Sequence, residues 1–186
     1  MKISFDLDSV IFDIEPLYIQ ANREFGVEYK RSWHWDLEKC YPANVCARLY
    51  ELFKDDSLYT MPLISAEYPM ILNELLRNPK YDISFVTQRR LQQPEKSFAQ
   101  LRNAGINCKF SQVYDRKQPK VEVLKEIGTE LHFDDGPHVV SDCLRNGVNV
   151  AMISNDTTLY NHFLRDRVQH FSDLKTALIK TGIITR

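Results

Sequence analysis

Two rhythms of apolar and polar positions recur along this chain: short β-branched or aromatic runs of strand length, and longer segments with apolar residues three and four apart. The first run, Ile3-Ser4-Phe5, leads straight into Asp6-Leu7-Asp8. A helix follows over residues 15–25, opened by Pro16, carried by Leu17, Tyr18, Ala21 and Phe25, and stopped by Gly26. Over 27–63 the rhythm weakens. Trp33, Trp35, Tyr41, Tyr50, Phe53 and Tyr59 crowd together there, with one clear helix at 42–54. The pattern then resumes with a helix at 66–78 and a strand at 81–87 that ends at Thr87, after which Gln88-Arg89-Arg90 read as loop. A helix at 94–103 stops before Gly105, and a short strand-like piece spans 109–113. Gln118-Pro119-Lys120 opens a helix with Val121, Val123, Leu124 and Ile127 as its apolar positions and Gly128 as its stop. Leu131-His132-Phe133 runs into Asp134-Asp135-Gly136-Pro137, a second strand ending in carboxylates. A helix to Asn146-Gly147, a strand at 148–153, a helix after Asp156 and an amphipathic helix at 173–180 complete the alternation.

Strands separated by helices predict a parallel sheet with crossover connections, an α/β fold of Rossmann-like form with helices on both faces. The aromatic-rich stretch after the first strand predicts a small inserted helical cap. Residues 1–14 and 64–186 then form the core, and 15–63 the cap. A chain of 186 residues, 44% of them hydrophobic, fits one such domain with a modest insertion.

Charge narrows the partners. With 24 basic and 25 acidic residues interspersed, the chain lacks the footprint of a duplex nucleic-acid binder and any block suited to a membrane surface. Cys40, Cys46, Cys108 and Cys143 match no zinc spacing and read as reduced thiols, mostly small core residues. The first apolar run is broken by Asp6, unlike a signal peptide, and no apolar stretch approaches the roughly 18 residues of a membrane span. These features predict a cytoplasmic protein acting on a small molecule.

In an extended chain residues i and i+2 point to the same side, so Asp6 and Asp8 can converge just beyond the strand end. Two carboxylates there make a hard, oxygen-rich site suited to Mg²⁺, at the sheet edge where open α/β folds bind ligands. Taken alone, such a pair is more often a turn than a catalytic site. Later strand ends and one helix start add Thr87, Lys120, Asp134 and Asp135. The set suits phosphoryl transfer: a carboxylate attacks phosphorus, Mg²⁺ bridges oxygens, a hydroxyl and an ammonium hold the rest, and a second carboxylate moves the proton.

The order strand-Asp-x-Asp-x-Val, strand-Thr, helix-opening Lys, strand-Asp-Asp resembles the haloacid dehalogenase (HAD) superfamily of phosphohydrolases. The resemblance implies that Asp6 is the nucleophile that forms an aspartyl-phosphate. It implies that Asp8 is the general acid/base, lending its backbone carbonyl to the metal. Thr87, with Gln88 beside it, and Lys120 resemble the phosphate binders, and Lys117 is a rival for the lysine role. Asp134 resembles the Mg²⁺ ligand and Asp135 the acidic residue supporting it. Many family members have Gly where this chain has Ser9. Within the superfamily, Phe-Val-Thr-Gln-Arg and Phe-Asp-Asp-Gly-Pro resemble the 5'(3')-deoxyribonucleotidase-like and bacterial 5'-nucleotidase branch. A nucleoside or deoxynucleoside monophosphate is then the expected substrate, with Phe12, Trp33 and Trp35 as a stacking wall worth about 1–3 kcal/mol per base and Arg89 as a further contact. A sugar phosphate would not need those rings. A receiver-type signalling domain is disfavoured by the order of the acidic residues, and a silent binding module of the same fold by the complete catalytic set.

Overall fold

A computed structural model describes residues 1–32, 34, 36–89, 91–154, 164 and 166–185. Six strands form one sheet, β1 (Lys2–Phe5), β2 (Asp82–Thr87), β3 (Val113–Asp115), β4 (Leu131–Asp134), β5 (Val150–Ile153) and β6 (Gln169–Phe171), in the order β3-β2-β1-β4-β5-β6. Every neighbouring pair is parallel. The described residues also form seven α-helices: α1 (Glu15–Glu24), α2 (Ala43–Leu52), α3 (Tyr68–Arg77), α4 (Pro94–Asn103), α5 (Lys120–Glu126), α6 (Pro137–Arg145) and α7 (Leu174–Lys180). None of them is long and apolar enough to cross a membrane.

The strand order reverses direction at β1. The chain builds outward from β1 to β3, then restarts at β4 on the other side, which makes the β1/β4 boundary the crevice where open sheets bind ligands. Register there is set by side chains. Phe5 pairs with Phe85 on one flank and Phe133 on the other, and the Phe5 and Phe133 rings stack at 5.2 Å. This row, with Ile3, Ile83, Ala151 and Ile153, buries itself against α3, α4 and α7. The opposite face carries Val86, Val150 and Met152 against α5 and α6. Because side chains alternate, Ser4, Asp6, His132 and Asp134 all point to this second face. Asp6 donates its N–H to Phe133 O at 2.9 Å, so Asp6 and Asp134 leave the strand ends at one level.

The loop after Asp8 is tight and packed. Ile11 and Phe12 both bond back to Leu7 O, and Val10, Ile11 and Phe12 are buried. Ser9 makes the turn with φ of 60°, the left-handed region that Gly occupies without strain. Phe12 therefore belongs to the core, 1% exposed, and is not a wall for a ligand. The predicted strand at 109–113 is also displaced. Residues Phe110–Gln112 close a 3₁₀ turn, with the Gln112 side chain tied to Lys109 N and Ile83 O, and the strand begins at Val113. The edge strand β6 was not foreseen, being three residues long with two polar side chains. The segment after Asp156, where a helix is expected, lies outside the described residues.

Helices α1 and α2 and the 3₁₀ turns Leu37–Lys39 and Asp56–Thr60 pack around a cluster of their own, with Leu17, Ala21, Tyr41, Val45, Leu49, Leu52 and Leu58 buried. The four cysteines are unpaired; Cys46, Cys108 and Cys143 are buried and Cys40 is half-buried.

Candidate active site

A buried polar ladder crosses the β1/β4 boundary. His132 Nε2 lies 2.9 Å from Asp134 Oδ2, while its Nδ1 lies 2.8 Å from Ser4 Oγ. Facing a carboxylate, Nε2 carries a proton; in the neutral imidazole Nδ1 then accepts from the Ser4 hydroxyl, and it also lies 3.2 Å from Ser4 O. Burial, outweighing the pull of Asp134, lowers the His132 pKa and agrees with that state. Asp134 accepts two further bonds, from Lys120 Nζ at 2.6 Å and from Gly136 N at 2.7 Å. A Cβ on Gly136 would stand 3.0 Å from Asp134 Oδ1, so glycine permits this close turn.

Lys120 opens α5 and reaches back to the strand ends, its Nζ also 2.9 Å from Asp6 Oδ1. That oxygen is buried and, among the described residues, has the Lys120 ion pair but no aligned hydrogen bond. The consequences diverge. Asp6 is pushed up to about 7, chiefly by burial and further by the Asp134 and Asp8 charges, with Lys120 opposing. For Asp134 burial also acts upward, but Lys120 and His132 outweigh it and hold the carboxyl well below the ordinary range. Asp135 is raised well above its ordinary value by burial and by Asp134 and Asp6. Lys120 is raised because Asp134 and Asp6 outweigh its desolvation.

Carboxylate oxygens of Asp6, Asp134 and Asp135 lie within 4.8 Å of one another. Asp6, Asp8, Asp134 and Asp135 bring four carboxyl groups to the site against the two cations Lys120 and Arg89, and Asp6 retains an unsatisfied oxygen. Three clustered hard oxygen donors fit a small divalent cation such as Mg²⁺, whose binding would hold Asp6 and Asp135 ionised. Asp135, expected only to support the site, stands among the candidate ligands. The Asp8 side chain is not in that group. It is held bidentately by Arg89, Nη2 to Oδ1 at 2.6 Å and Nε to Oδ2 at 3.0 Å.

These groups line a cavity of about 990 Å³. The stretch from α1 to α2 adds Tyr18, Tyr29, Tyr41, Tyr50 and Phe53 to its lining, and the rest of the chain adds Ile64, Tyr68, His138 and Ile153. Tyr18 packs edge-on to Phe53 at 5.8 Å and lies 6.1 Å from Tyr41.

Solved structures share this architecture over nearly the whole chain. A protein assigned as a beta-phosphoglucomutase from Thermotoga maritima superposes with a TM-score of 0.61 at 15% identity, covering 98% of this chain and 99% of its own. A protein assigned as a HAD-hydrolase from Bacillus subtilis, solved bound to magnesium, gives 0.60 at 12% identity, covering 97% and 98%. A HAD-like family hydrolase from Xanthomonas campestris gives 0.55 at 12% identity, covering 98% and 94%. The fold is that of the HAD-type hydrolases. No protein-family model and no curated protein matches the sequence.

On this HAD-type frame Asp6, Asp8, Thr87, Lys120, Asp134 and Asp135 converge on one cavity, as their places at strand ends and a helix start imply. Thr87 ends β2 and is 4% exposed. Gln88 is exposed at the rim and donates to Gln118 O at 3.3 Å. Lys117 is exposed, whereas Lys120 is buried between two carboxylates. Arg89 lines the cavity but turns its guanidinium to Asp8 and Ser97. Trp33, Trp35 and Arg90 lie outside the described residues.

Sequence reading missed Asp115, because the strand it ends was placed too early, and Ser97, an unremarked helix serine. Tyr18 was also missed, since its helical spacing looked like that of core residues.

Proposed function

We propose that this chain is a phosphomonoester hydrolase working through an aspartyl-phosphate on Asp6. One observation carries the reading: a buried carboxylate with an oxygen that no hydrogen bond satisfies lines a cavity, 2.9 Å from an ammonium and beside two further carboxylates that can share a metal. Asp6, Asp134 and Asp135, with the Asp8 backbone carbonyl, are the residues that would hold Mg²⁺, which when bound supplies charge neutralisation on the phosphoryl oxygens.

The chain's own residues account for the rest. Lys120 neutralises Asp6 and the incoming phosphate and orients Asp134. Thr87 offers its hydroxyl to a phosphoryl oxygen. Asp6 attacks phosphorus and the ester P–O bond breaks, while Asp8, entering this step protonated with one oxygen released from Arg89, gives its proton to the departing oxygen. Asp8 then takes a proton from water, whose oxygen attacks phosphorus, and the Asp6–phosphate bond breaks to release inorganic phosphate.

The helical segment 15–63 is read as a cap over a core formed by 1–14 and 64–186. Its tyrosine-lined wall supports a planar substrate group, and so a nucleoside or deoxynucleoside monophosphate as for a 5'-nucleotidase. A sugar phosphate is the second reading, favoured by the likeness to the protein assigned as a beta-phosphoglucomutase.

The test is phosphate release from nucleoside monophosphates, sugar phosphates and 4-nitrophenyl phosphate, with Mg²⁺ and with a chelator. Metal-dependent release, fastest for nucleotides, is expected. No release from any phosphomonoester by folded, Mg²⁺-supplied protein would overturn the reading. A preference for sugar phosphates would correct the substrate alone.

A further inference from the structure

Arg89 is the residue that the mechanism above leaves unused, although the structure invests heavily in it. Its side chain is 1% exposed and its guanidinium pairs with both oxygens of Asp8, which is 20% exposed at the cavity. The other end of the fork is seated by a second pair of side chains. Arg89 Nη1 donates to Ser97 Oγ at 3.3 Å, Ser97 Oγ donates to Asp115 Oδ2 at 3.0 Å, and Asp115 Oδ1 accepts from Arg89 N at 3.3 Å. The Tyr59 ring covers the guanidinium, with Arg89 Cζ 4.9 Å from its centroid.

Tyr59 belongs to the 3₁₀ turn Asp56–Thr60 at the end of the inserted segment, and that turn is moored to α4. Gln100 Nε2 donates to Leu58 O at 3.3 Å and to Met61 O at 3.4 Å, and Lys96 pairs with Asp56. The same helix carries Ser97. One element therefore fixes both the seat of Arg89 and the ring that covers it.

We propose that Arg89 is the positioning residue of Asp8, and that it couples the aim of that carboxylate to the packing of the Asp56–Thr60 turn. A buried arginine is costly unless paired, and the carboxylate that pairs with it here is partly open at the cavity rather than buried. Asp8 stands on a tight loop beside a residue of positive φ, and on its own its side chain would sample several rotamers. A bidentate fork removes all but one. With three N–H groups committed to Asp8 and Ser97 and one face against Tyr59, Arg89 acts through Asp8 rather than on substrate.

This inference rests on the hydrolase reading, in which Asp8 protonates the leaving oxygen. The experiment measures kcat/KM for 4-nitrophenyl phosphate, phenyl phosphate and glycerol 2-phosphate, whose leaving groups need a proton increasingly, together with the Ki of inorganic phosphate. In Arg89→Met, kcat/KM for glycerol 2-phosphate should fall at least about tenfold more than for 4-nitrophenyl phosphate, because general-acid help is worth about 10²–10⁴. The phosphate Ki should stay within about twofold. Arg89→Lys should recover part of the loss, and Tyr59→Ala should shift the same ratio in the same direction by less. If Arg89→Met does not fold, these two variants carry the test. Equal losses across the leaving groups, or a rise in Ki that matches the loss, would overturn the proposal. A wild type inert toward all three esters would overturn the hydrolase reading and this inference with it.

Discussion

Lys120 Nζ lies 2.9 Å from Asp6 Oδ1 and so joins the start of α5 to the end of β1. The same ammonium stands 2.6 Å from Asp134. Sharing one cation, the two carboxylates differ in state: Asp134 also receives His132 and Gly136 and stays anionic, whereas Asp6, with one oxygen unsatisfied, rises to about 7. The carboxylate that is least satisfied is the one read as the nucleophile.

Asp6→Asn should remove activity toward every phosphomonoester, since an amide cannot attack. It should also stabilise the metal-free protein. A pKa raised in the fold means that the folded state binds more protons than the unfolded chain, so Asp6 costs stability increasingly as pH rises from its unfolded value of 3.8 to about 7. Thermal melting in chelator should show the variant ahead of wild type by several degrees at about pH 8, with the gap closing toward about pH 5. A variant less stable than wild type at both pH values would contradict the assigned environment.

The metal prediction follows from the 4.8 Å grouping. Asp134→Asn and Asp135→Asn should each raise the Mg²⁺ concentration for half-maximal rate, by about tenfold or more for loss of an anionic oxygen ligand. Mg²⁺ should also raise the wild-type melting temperature and do so less in either variant. An unchanged titration in both variants would place the metal elsewhere.

Lys120→Met should lower kcat/KM at least about a hundredfold, the usual scale for losing a preorganised charge at the transferring group. Exposed Lys117→Met should remain within about twofold of wild type. Comparable losses in the two variants would refute the choice of Lys120.

His132 gives a pH signature of opposite sign to Asp6. Its folded pKa lies below the ordinary 6.5, so the stability that comes from burying it neutral is present above 6.5 and is lost as pH falls through that value. His132→Gln keeps a donor for Asp134 but does not titrate. Wild type should be the more stable at about pH 7.5, and its advantage in melting temperature should shrink toward about pH 5. An advantage independent of pH would show that the imidazole is not buried in its neutral form.

Much of this was written in the local pattern. Ile3-Ser4-Phe5 before Asp6, and Leu131-His132-Phe133 before Asp134, are runs whose period sets a strand and whose abrupt switch to carboxylates marks its end. Pro16, Pro94, Pro119 and Pro137 each stand at or beside the start of a helix, because proline's fixed φ suits a first turn. From such signals come the alternating α/β order, the parallel sheet and the meeting of Asp6, Asp8, Thr87, Lys120 and Asp134 at one edge.

What the local pattern leaves open is decided by pairings across space. Val113–Asp115 is a strand because Phe85 and Thr87 offer a partner edge, a condition found in no window of three residues. Phe12 resembles any aromatic near a site until the Asp8 loop folds it into the core. Arg89 looks like loop until β2 brings it to Asp8 and α4 brings Ser97 beneath it. Lys117 precedes α5 and Lys120 opens it, and that difference has meaning only once β1 and β4 lie beside the helix start. Residue types and their order determine which chemistry is present. The tertiary structure alone determines which charge faces which, because Coulombic and hydrogen-bond energies depend on distances that the sequence does not contain.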